Sequence, residues 1–212
     1  MQITNTLYPI DIVEYIERDI RQAIFGVELL KLWWSLDEND ITRLQNSYGL
    51  QVGTTFSTLI ISVIHATTMA ISRLLERAQG REQCCFEQLK DALISSDNSH
   101  ERQLGNDLRV MLDAIKNKGW YKKLIISRGH VIAHRNRSIE RLQDELQPEY
   151  GDLLPAYDFA FEVMERVQKL MKFRESVSSM RHEAVQSHHA TLKMLIPTIE
   201  ESQFASMLLR PS

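Results

Sequence analysis

The sequence predicts an all-α protein, an antiparallel helical bundle with extra peripheral helices. Only eight Gly and five Pro interrupt its 212 residues, and these residue types are the least compatible with a helix interior. The stretches between them are long and rich in Leu, Ile, Glu, Lys, Arg and Gln, which favour helices. A hydrophobic fraction of 43% is sufficient for a packed core. We therefore expect one folded domain, with or without an appendage.

The positions of the helices are predicted from the apolar periodicity and from the residues at its edges. Capping residues precede some apolar stretches, and glycines mark stops or turns. The capping residues are Asp37, Asn98 and Asp152, and the glycines are Gly80, Gly119 and Gly151. The predicted helices span residues 10–34, 38–47, 53–77, 84–94, 99–117, 120–146 with a break, 152–176 and 181–195.

The chain is expected to divide near residue 176. Residues 1–176 are predicted to form the helical bundle, without internal repeats. Residues 177–212 are predicted to form a C-terminal helical extension that packs on the bundle or on a partner. This extension is polar and His-containing at first, and it becomes apolar again at "LKMLIP" and "FASMLL".

Three features favour a cytoplasmic protein that does not span a membrane. The two cysteines, Cys84 and Cys85, are adjacent, so they do not form the spaced framework of a secreted disulfide protein. The first residues include acidic side chains by Asp11 and lack the basic flank of a signal peptide. The longest apolar run, residues 52–75, contains many Ser and Thr residues, so we expect a buried central helix.

Several enzyme classes are disfavoured because their motifs are missing from the sequence. No Gly-rich phosphate loop, Ser-centred nucleophile elbow or H-E-x-x-H pattern occurs. These absences argue against a kinase, a nucleotide hydrolase, an esterase or a zincin.

Positive charge is concentrated in one segment of a slightly acidic chain. The formal net charge is −3, but residues 116–141 contain eight Lys or Arg residues against one acid, Glu140. A solvated helix normally mixes both signs, so this excess predicts an anionic partner, of which RNA or DNA phosphate is the commonest. Trp120 and Tyr121 lie in the segment, where an unpaired base could stack on them, although either ring could instead belong to the core.

The stretch "SRGHVIAHRN", residues 127–136, mixes cationic and apolar side chains. Arg128 and Arg135 fall on one helical arc with apolar residues, so each needs a carboxylate, a phosphate or access to water. Alternatively, Gly129 kinks the helix and re-aims Arg128. His130 and His134 share a helix face, but the flanking arginines oppose a cation, so we expect neither a metal nor a cofactor.

These residues carry a family resemblance. The motif "RGHVIAHRN" resembles the R-x4-6-H signature of the HEPN superfamily of helical ribonucleases, and "IAHRN" is most similar to its U-type abortive-infection branch. The stretch "ISRLLER", residues 71–77, and the helix predicted from Asp152 are also similar to the layout of that family. The resemblance extends over residues 10–173 in architecture, and its specific part is the short motif.

The resemblance implies a HEPN-type bundle that forms a homodimer, with two motifs facing each other across a basic cleft, and metal-independent cleavage of RNA. It implies that Arg128 neutralises the phosphate and that His134 acts as general acid or base. Neighbouring side chains would bind the RNA, namely His130, Arg135, Asn136, Arg137, Lys122 and Lys123. A toxin or phage-defence effector is the expected class, with an antitoxin protein as a further candidate partner.

Two alternatives stay open at the level of the sequence. Active HEPN members usually place Asn, Asp or His directly after the motif Arg, whereas this chain has Gly129. That difference favours a non-catalytic module that binds RNA, a nucleotide or a protein. In the other alternative the bundle has no nucleic-acid role, and Arg128 and Arg135 pair with acidic residues of the next helix, such as Glu162 or Glu165.

Overall fold

The computed structural model describes residues 8–40, 42, 51–75, 84–127, 148–171 and 175–195, with the backbone alone at 51–57 and 192–195. These residues form helices and connecting turns, and none of them lies in a β-strand, which confirms the all-α prediction. The helices with described bounds are α1 (Pro9–Trp34), α2 (Gln51–Leu75), α3 (Phe86–Ile94), α4 (Ser99–Ile115), α5 (Gly119–Ser127), α6 (Tyr150–Leu170) and α7 (Val177–Leu195), and residues 38–40, which follow Asp37, are also helical.

The long helix α1 lies at the centre of the bundle, where it contacts α2, α3, α6 and α7. Its buried apolar residues recur every three or four positions, so one broad side of the helix faces the core. Each fully buried Ile contributes about 1.5–3 kcal/mol through removal of apolar surface from water. The helix begins where Pro9 follows Tyr8, whose backbone N–H donates to the carboxylate of Asp11 at 3.1 Å.

Two of the three predicted capping residues occupy the predicted position. The Asn98 side-chain oxygen accepts a hydrogen bond from the backbone N–H of His100 at 2.9 Å, at the start of α4. The Asp37 carboxylate accepts one from the backbone N–H of Asp40 at 2.8 Å. Asp152 instead lies inside the first turn of α6, which begins two residues earlier at Tyr150.

The last two helices differ from their predicted bounds. α6 ends at Leu170 rather than at residue 176, because Met171 adopts an extended conformation with φ −111° and ψ 138°. α7 begins at Val177 rather than at residue 181. Ser176 causes this early start, because its hydroxyl oxygen accepts a hydrogen bond from the backbone N–H of Ser179 at 3.0 Å.

The expectation that residues 52–75 form a buried central helix is correct for only part of α2. Its C-terminal half is buried, but Leu59 and Ile61 are each about half exposed, at 51% and 52%. Residues Thr58–Leu75 are long and apolar enough to cross a membrane, a property that core helices share, and 39% of this stretch is buried in the bundle. The first turns of the stretch therefore present apolar side chains at the surface.

Glycines allow close approach at two helix pairs. A Cβ atom at Gly26 of α1 would overlap the side-chain oxygen of Thr67 on α2. A Cβ atom at Gly105 of α4 would come within 2.8 Å of the backbone nitrogen of Ile94, at the end of α3. In both places the distance between the helices is set by the missing side chain.

α7 docks on α1 through both apolar and polar contacts. Among its residues 177–191, Val177, Met180 and Ala184 are buried. Arg21 of α1 binds Glu175 at 2.6 Å and Glu183 of α7 at 3.1 Å, and the hydrogen bond to Glu175 is the main reason that the pKa of Arg21 is raised. The His188 ring nitrogen Nε2 lies 2.9 Å from the backbone oxygen of Phe25.

We expect Gly26→Ala to destabilise the protein by about 1–3 kcal/mol, because the added methyl group overlaps Thr67 in a packed interface. Urea denaturation measures the change in the free energy of unfolding. Gly151→Ala is the matched control, since a Cβ atom there meets nothing within 4 Å, and its effect should be neutral or stabilising by up to about 1 kcal/mol. Equal stability of the two variants would contradict the close α1–α2 contact.

Candidate nucleic-acid interface

The described part of the predicted site lies on α5, which contains Lys122 and Lys123. The R-x5-H motif begins at the residue after Ser127, the last residue of α5. Outside the described residues lie the predicted catalytic pair and the remaining predicted RNA-binding residues, namely Arg128, His134, His130, Arg135, Asn136 and Arg137. The packing of α5 is therefore the described geometry nearest to the motif in sequence.

α5 packs against α2 and α6. Leu124 and Ser127 are fully buried. The hydroxyl of Ser72 on α2 donates a hydrogen bond to the carbonyl oxygen of Leu124 at 3.4 Å. Ser72 thus supplies this carbonyl with a hydrogen-bond partner from a neighbouring helix. The chain is thus fixed to the bundle directly before the motif.

The two lysines of α5 have different surroundings. Lys123 forms an ion pair with Asp152 of α6, with Nζ and Oδ2 2.7 Å apart, and both side chains are mostly buried. The same Asp152 oxygen accepts the backbone N–H of Glu149 at 2.9 Å. Lys122, one residue earlier, is exposed. Of these two predicted RNA-binding residues, Lys122 is therefore the one whose charge faces solvent.

The same distinction applies to the lysines before α5. Lys116 binds Asp113 at 2.8 Å and Glu87 of α3 at 3.2 Å. The hydrogen bond with Asp113, followed by that with Glu87, raises the pKa of Lys116. Lys118 is exposed at the turn that leads into α5. The positive excess seen in the sequence is thus partly neutralised by carboxylates from α3, α4 and α6.

The aromatic residues at the start of α5 contact the core. Trp120 and Tyr121 are half-buried, and their rings meet edge to face with centroids 6.1 Å apart. The Trp120 ring also lies 6.4 Å from the ring of Phe159 on α6. Trp120 and Tyr121 both pack against the hydrophobic core, so only part of each ring is available to a base.

The two acidic residues considered as partners for the motif arginines have partners of their own. Glu162 accepts a hydrogen bond from Arg166 of the same helix at 2.6 Å. Glu165 lies 3.5 Å from the hydroxyl of Ser178 on α7. Glu162 remains about half exposed, so its carboxylate still reaches solvent.

A second cluster of ionisable side chains lies where α1, α6 and α7 meet. The carboxylate of Glu28 is 5% exposed. Its Oε1 atom accepts hydrogen bonds from Tyr157 Oη at 3.1 Å, from Arg181 Nε at 3.0 Å and from Lys31 Nζ at 3.1 Å. Lys31 Nζ also lies 4.9 Å from the centre of the Tyr157 ring. This cluster joins three helices through one buried acceptor.

The electrostatics of this cluster keep its donors protonated. Burial raises the pKa of Tyr157, and the nearby Glu28 carboxylate raises it further. Burial, with Glu28 and Asp158, raises the pKa of Tyr150 to about 12. The Tyr150 ring stacks on that of Trp34, with centroids 4.8 Å apart. Both tyrosine hydroxyls are neutral at pH 7, which suits an anchoring role for the cluster better than a proton-transfer role.

The sequence contained a signal for this cluster that pattern reading missed. Ile16, Ile20, Ile24 and Glu28 follow one another at four-residue spacing on α1, and all four are buried. A carboxylate that continues an apolar row must have cationic or hydrogen-bonding partners. The pattern indicates that partners exist, but it does not indicate which helix supplies them.

Within the described residues no group of three or more His, Cys, Asp or Glu side chains is arranged to hold a metal ion. His65, on α2, is half-buried, and burial lowers its pKa.

Comparisons of the chain with protein-family models, with curated proteins and with solved structures found no match. The functional interpretation therefore rests on the residues themselves.

We expect Lys122→Ala to weaken RNA binding and to reduce the salt slope of log K by about 0.7–0.9, the release of one counterion. Lys123→Ala should have a smaller effect, because Asp152 already neutralises that side chain. Fluorescence anisotropy with a single-stranded RNA at several salt concentrations measures the affinity and the salt slope of each variant. Lys169→Ala, an exposed lysine near the other end of α6, is the control. If Lys123→Ala weakened RNA binding as much as Lys122→Ala does, the assignment of Lys122 as the lysine that faces RNA would be contradicted.

We expect Glu28→Gln to lower the free energy of unfolding by about 1.5–3 kcal/mol, because Arg181 and Lys31 keep their charges but lose a buried counterion. Urea denaturation provides the measurement. In the control Glu162→Gln, an exposed carboxylate paired with Arg166 is neutralised, and the change should stay below about 1 kcal/mol. Similar effects of the two substitutions would show that the buried cluster does not hold the helices together.

Proposed function

We propose that the protein is a HEPN-type, metal-independent endoribonuclease of the cytoplasm, a toxin or phage-defence effector that acts as a homodimer. The observation that carries the proposal is the motif Arg128–His134, which lies within a strongly basic segment and begins directly after α5. A HEPN-type cleft built from two copies would bring two such motifs together. RNA is the proposed substrate, and an antitoxin protein is a further proposed partner.

The packing of α5 supports this proposal. A catalytic side chain works only if its backbone is held in place, and the residues before the motif are anchored by Leu124, by Ser127 and by the Lys123–Asp152 ion pair. Lys118 and Lys122, which precede the motif along the chain, are exposed to solvent. They would attract a polyanion towards it.

The proposed chemistry is attack of a ribose 2′-hydroxyl on the adjacent phosphorus. His134, as a general base, would take the 2′-hydroxyl proton, or as a general acid it would donate a proton to the departing 5′-oxygen. The bond from phosphorus to the 5′-oxygen breaks as the bond to the 2′-oxygen forms, so the products are a 2′,3′-cyclic phosphate and a 5′-hydroxyl. Arg128 would stabilise the negative charge that develops on the phosphate oxygens.

The spacing of the two residues favours a site made by two chains. On an ideal helix, positions six apart lie about 120° from each other around the axis. Arg128 and His134 of one regular helix would therefore not meet at one phosphate. In a homodimer each residue could approach the same phosphate from a different copy.

A second candidate function is favoured by Gly129. Glycine replaces the polar residue that usually follows the motif Arg in active HEPN members, so the bundle could bind RNA, a nucleotide or a protein without cleaving it. The basic segment and the exposed Lys122 would serve either function. The two proposals differ first in whether RNA is cleaved.

We expect the purified protein to cleave a mixed RNA pool in EDTA and to leave cyclic phosphate ends. Arg128→Ala and His134→Ala should each reduce the rate by about 100-fold or more, since general acid–base and electrostatic contributions are each of that order. End-group analysis of the fragments identifies the chemistry. Thermal unfolding of each variant shows whether the fold is retained.

The outcomes separate the two candidate functions. Cleavage that persists in both folded variants would exclude the proposed catalytic pair. Salt-sensitive RNA binding without cleavage by the wild type would favour the non-catalytic module. Gly129→Asn offers a further comparison, because it restores a polar residue after the motif Arg and should increase the rate if the glycine limits catalysis.

A further inference from the structure

The exposed side of α2 differs in composition from the exposed sides of the other described helices. No Asp, Glu, Lys or Arg occurs between Arg43 and Arg73, and α2 is the one described helix that contains no Asp, Glu or Lys. At about 100° per residue, its surface residues fall on one arc, which we call the α2 face. The exposed members of this face are Thr58, Leu59, Ile61, Ser62 and Ala66.

The α2 face is suited to burial against another protein surface. Leu59 and Ile61 are 51% and 52% exposed, so apolar surface remains to be covered. Thr58, Ser62 and Ala66 follow at four-residue spacing, and their small side chains allow a second helix to approach closely. The Ser62 hydroxyl donates to the backbone oxygen of Thr58 at 2.8 Å. This polar group would therefore keep a hydrogen bond when water is excluded.

The ionisable side chains on and near the α2 face do not oppose its burial against a partner. His65 falls on the same arc, where it is half-buried, and burial lowers the pKa of this histidine below its ordinary value. The imidazole is therefore neutral at pH 7. Arg73, further along the same helix, is held by Asp19 of α1, with Arg73 Nη2 and Asp19 Oδ1 2.7 Å apart. The face thus presents no net charge to a partner.

We propose that the α2 face is the contact surface for a second copy of this chain. A partner for this face must itself be uncharged and apolar, because a charged group buried against it would lose hydration without gaining a counterion. Among the described helices only α2 offers such a surface. Two copies related by a twofold axis would place α2 against α2 with no like charges opposed.

The inference shares with the proposed function only the expectation of a homodimer. It assigns the contact to a described surface, whereas the ribonuclease proposal rests on the motif after α5. α5 contacts α2 through Ser72, seven residues beyond His65. A dimer formed through α2 would therefore place both copies of α5 near the same interface.

Sedimentation equilibrium of the wild type and of Ser62→Glu tests the proposal. Ser62 lies midway between Thr58 and Ala66, so the substitution would bury a carboxylate in each copy near the axis. We expect a wild-type dimer and at least about 30-fold weaker dimerisation of Ser62→Glu, since opposed like charges in an interface are strongly unfavourable. The control is Val110→Glu on α4, another exposed apolar position at 67% exposure, which should leave dimerisation unchanged.

A mixing experiment tests whether the same face is used on both copies. Ser62→Lys should also be monomeric, and an equimolar mixture of Ser62→Glu and Ser62→Lys should recover dimers. Recovery supports contact between the two α2 faces, because opposite charges now face each other. Circular dichroism and thermal unfolding should show unchanged folds, since Ser62 is exposed.

Four results would overturn the proposal. A monomeric wild type at about 100 μM would do so, since an interface of standard size forms well below that concentration. A Ser62→Glu variant that still forms dimers would place the interface elsewhere. Binding of the monomer to phosphatidylcholine vesicles would assign the face to lipid. Dimerisation only after deletion of residues 196–212 would assign it to the chain's own C-terminal segment.

RNA cleavage is measured separately on the same variants. Loss of both dimer and cleavage in Ser62→Glu supports the α2 contact together with a composite ribonuclease site. Loss of the dimer with cleavage retained supports the α2 contact and excludes the composite site. A wild-type dimer that is sensitive to Ser62→Glu but does not cleave RNA leaves the α2 contact standing without the ribonuclease.

Discussion

Two buried carboxylates on α1 constrain the helices packed around it. Asp19 is bound by Arg73 of α2 through both Nε and Nη2, at 3.0 and 2.7 Å. Glu28 is bound by Tyr157 of α6 and by Arg181 of α7. A buried carboxylate without a partner destabilises a fold by several kcal/mol. Arrangements that move any of these helices away from α1 are therefore disfavoured, and the polar contacts favour one packing among the many that would bury the apolar faces.

The constraint on α2 also determines what the helix exposes. The Gly26–Thr67 contact fixes the side of α2 that faces α1, and the Arg73–Asp19 ion pair ties the C-terminal end of α2 to that helix. The opposite side, which carries Leu59 and Ile61, is then left at the surface. α5 attaches near the C-terminal end of α2 through Ser72 and continues into the basic motif. The candidate RNA site and the candidate dimer face are thus both positioned by the same helix.

Local signals in the sequence predicted the described helices well and their ends less well, while most of the predicted helices 38–47 and 120–146 lies outside the described residues. The start of α4 at Asn98 was predictable because the Asn98 side chain itself caps the helix, by accepting the backbone N–H of His100 two residues later. The end of α6 and the start of α7 were not, because Met171 turns the chain and Ser176 caps the next helix within a stretch that still resembles a helix in composition. For the candidate site, the sequence identified Lys122 and Lys123 equally, and only the Asp152 contact distinguishes them.

The sequence by itself determined the all-α class, the approximate helix positions and the concentration of positive charge before and within the motif. Periodicity, capping and local charge depend on residues a few positions apart, so they are readable along the chain. The tertiary structure decided that Glu28 meets Arg181, 153 residues away, that Lys123 is neutralised and that one side of α2 stays uncovered. These features depend on which side chains meet between helices that are distant in sequence, and desolvation makes those pairings energetically decisive.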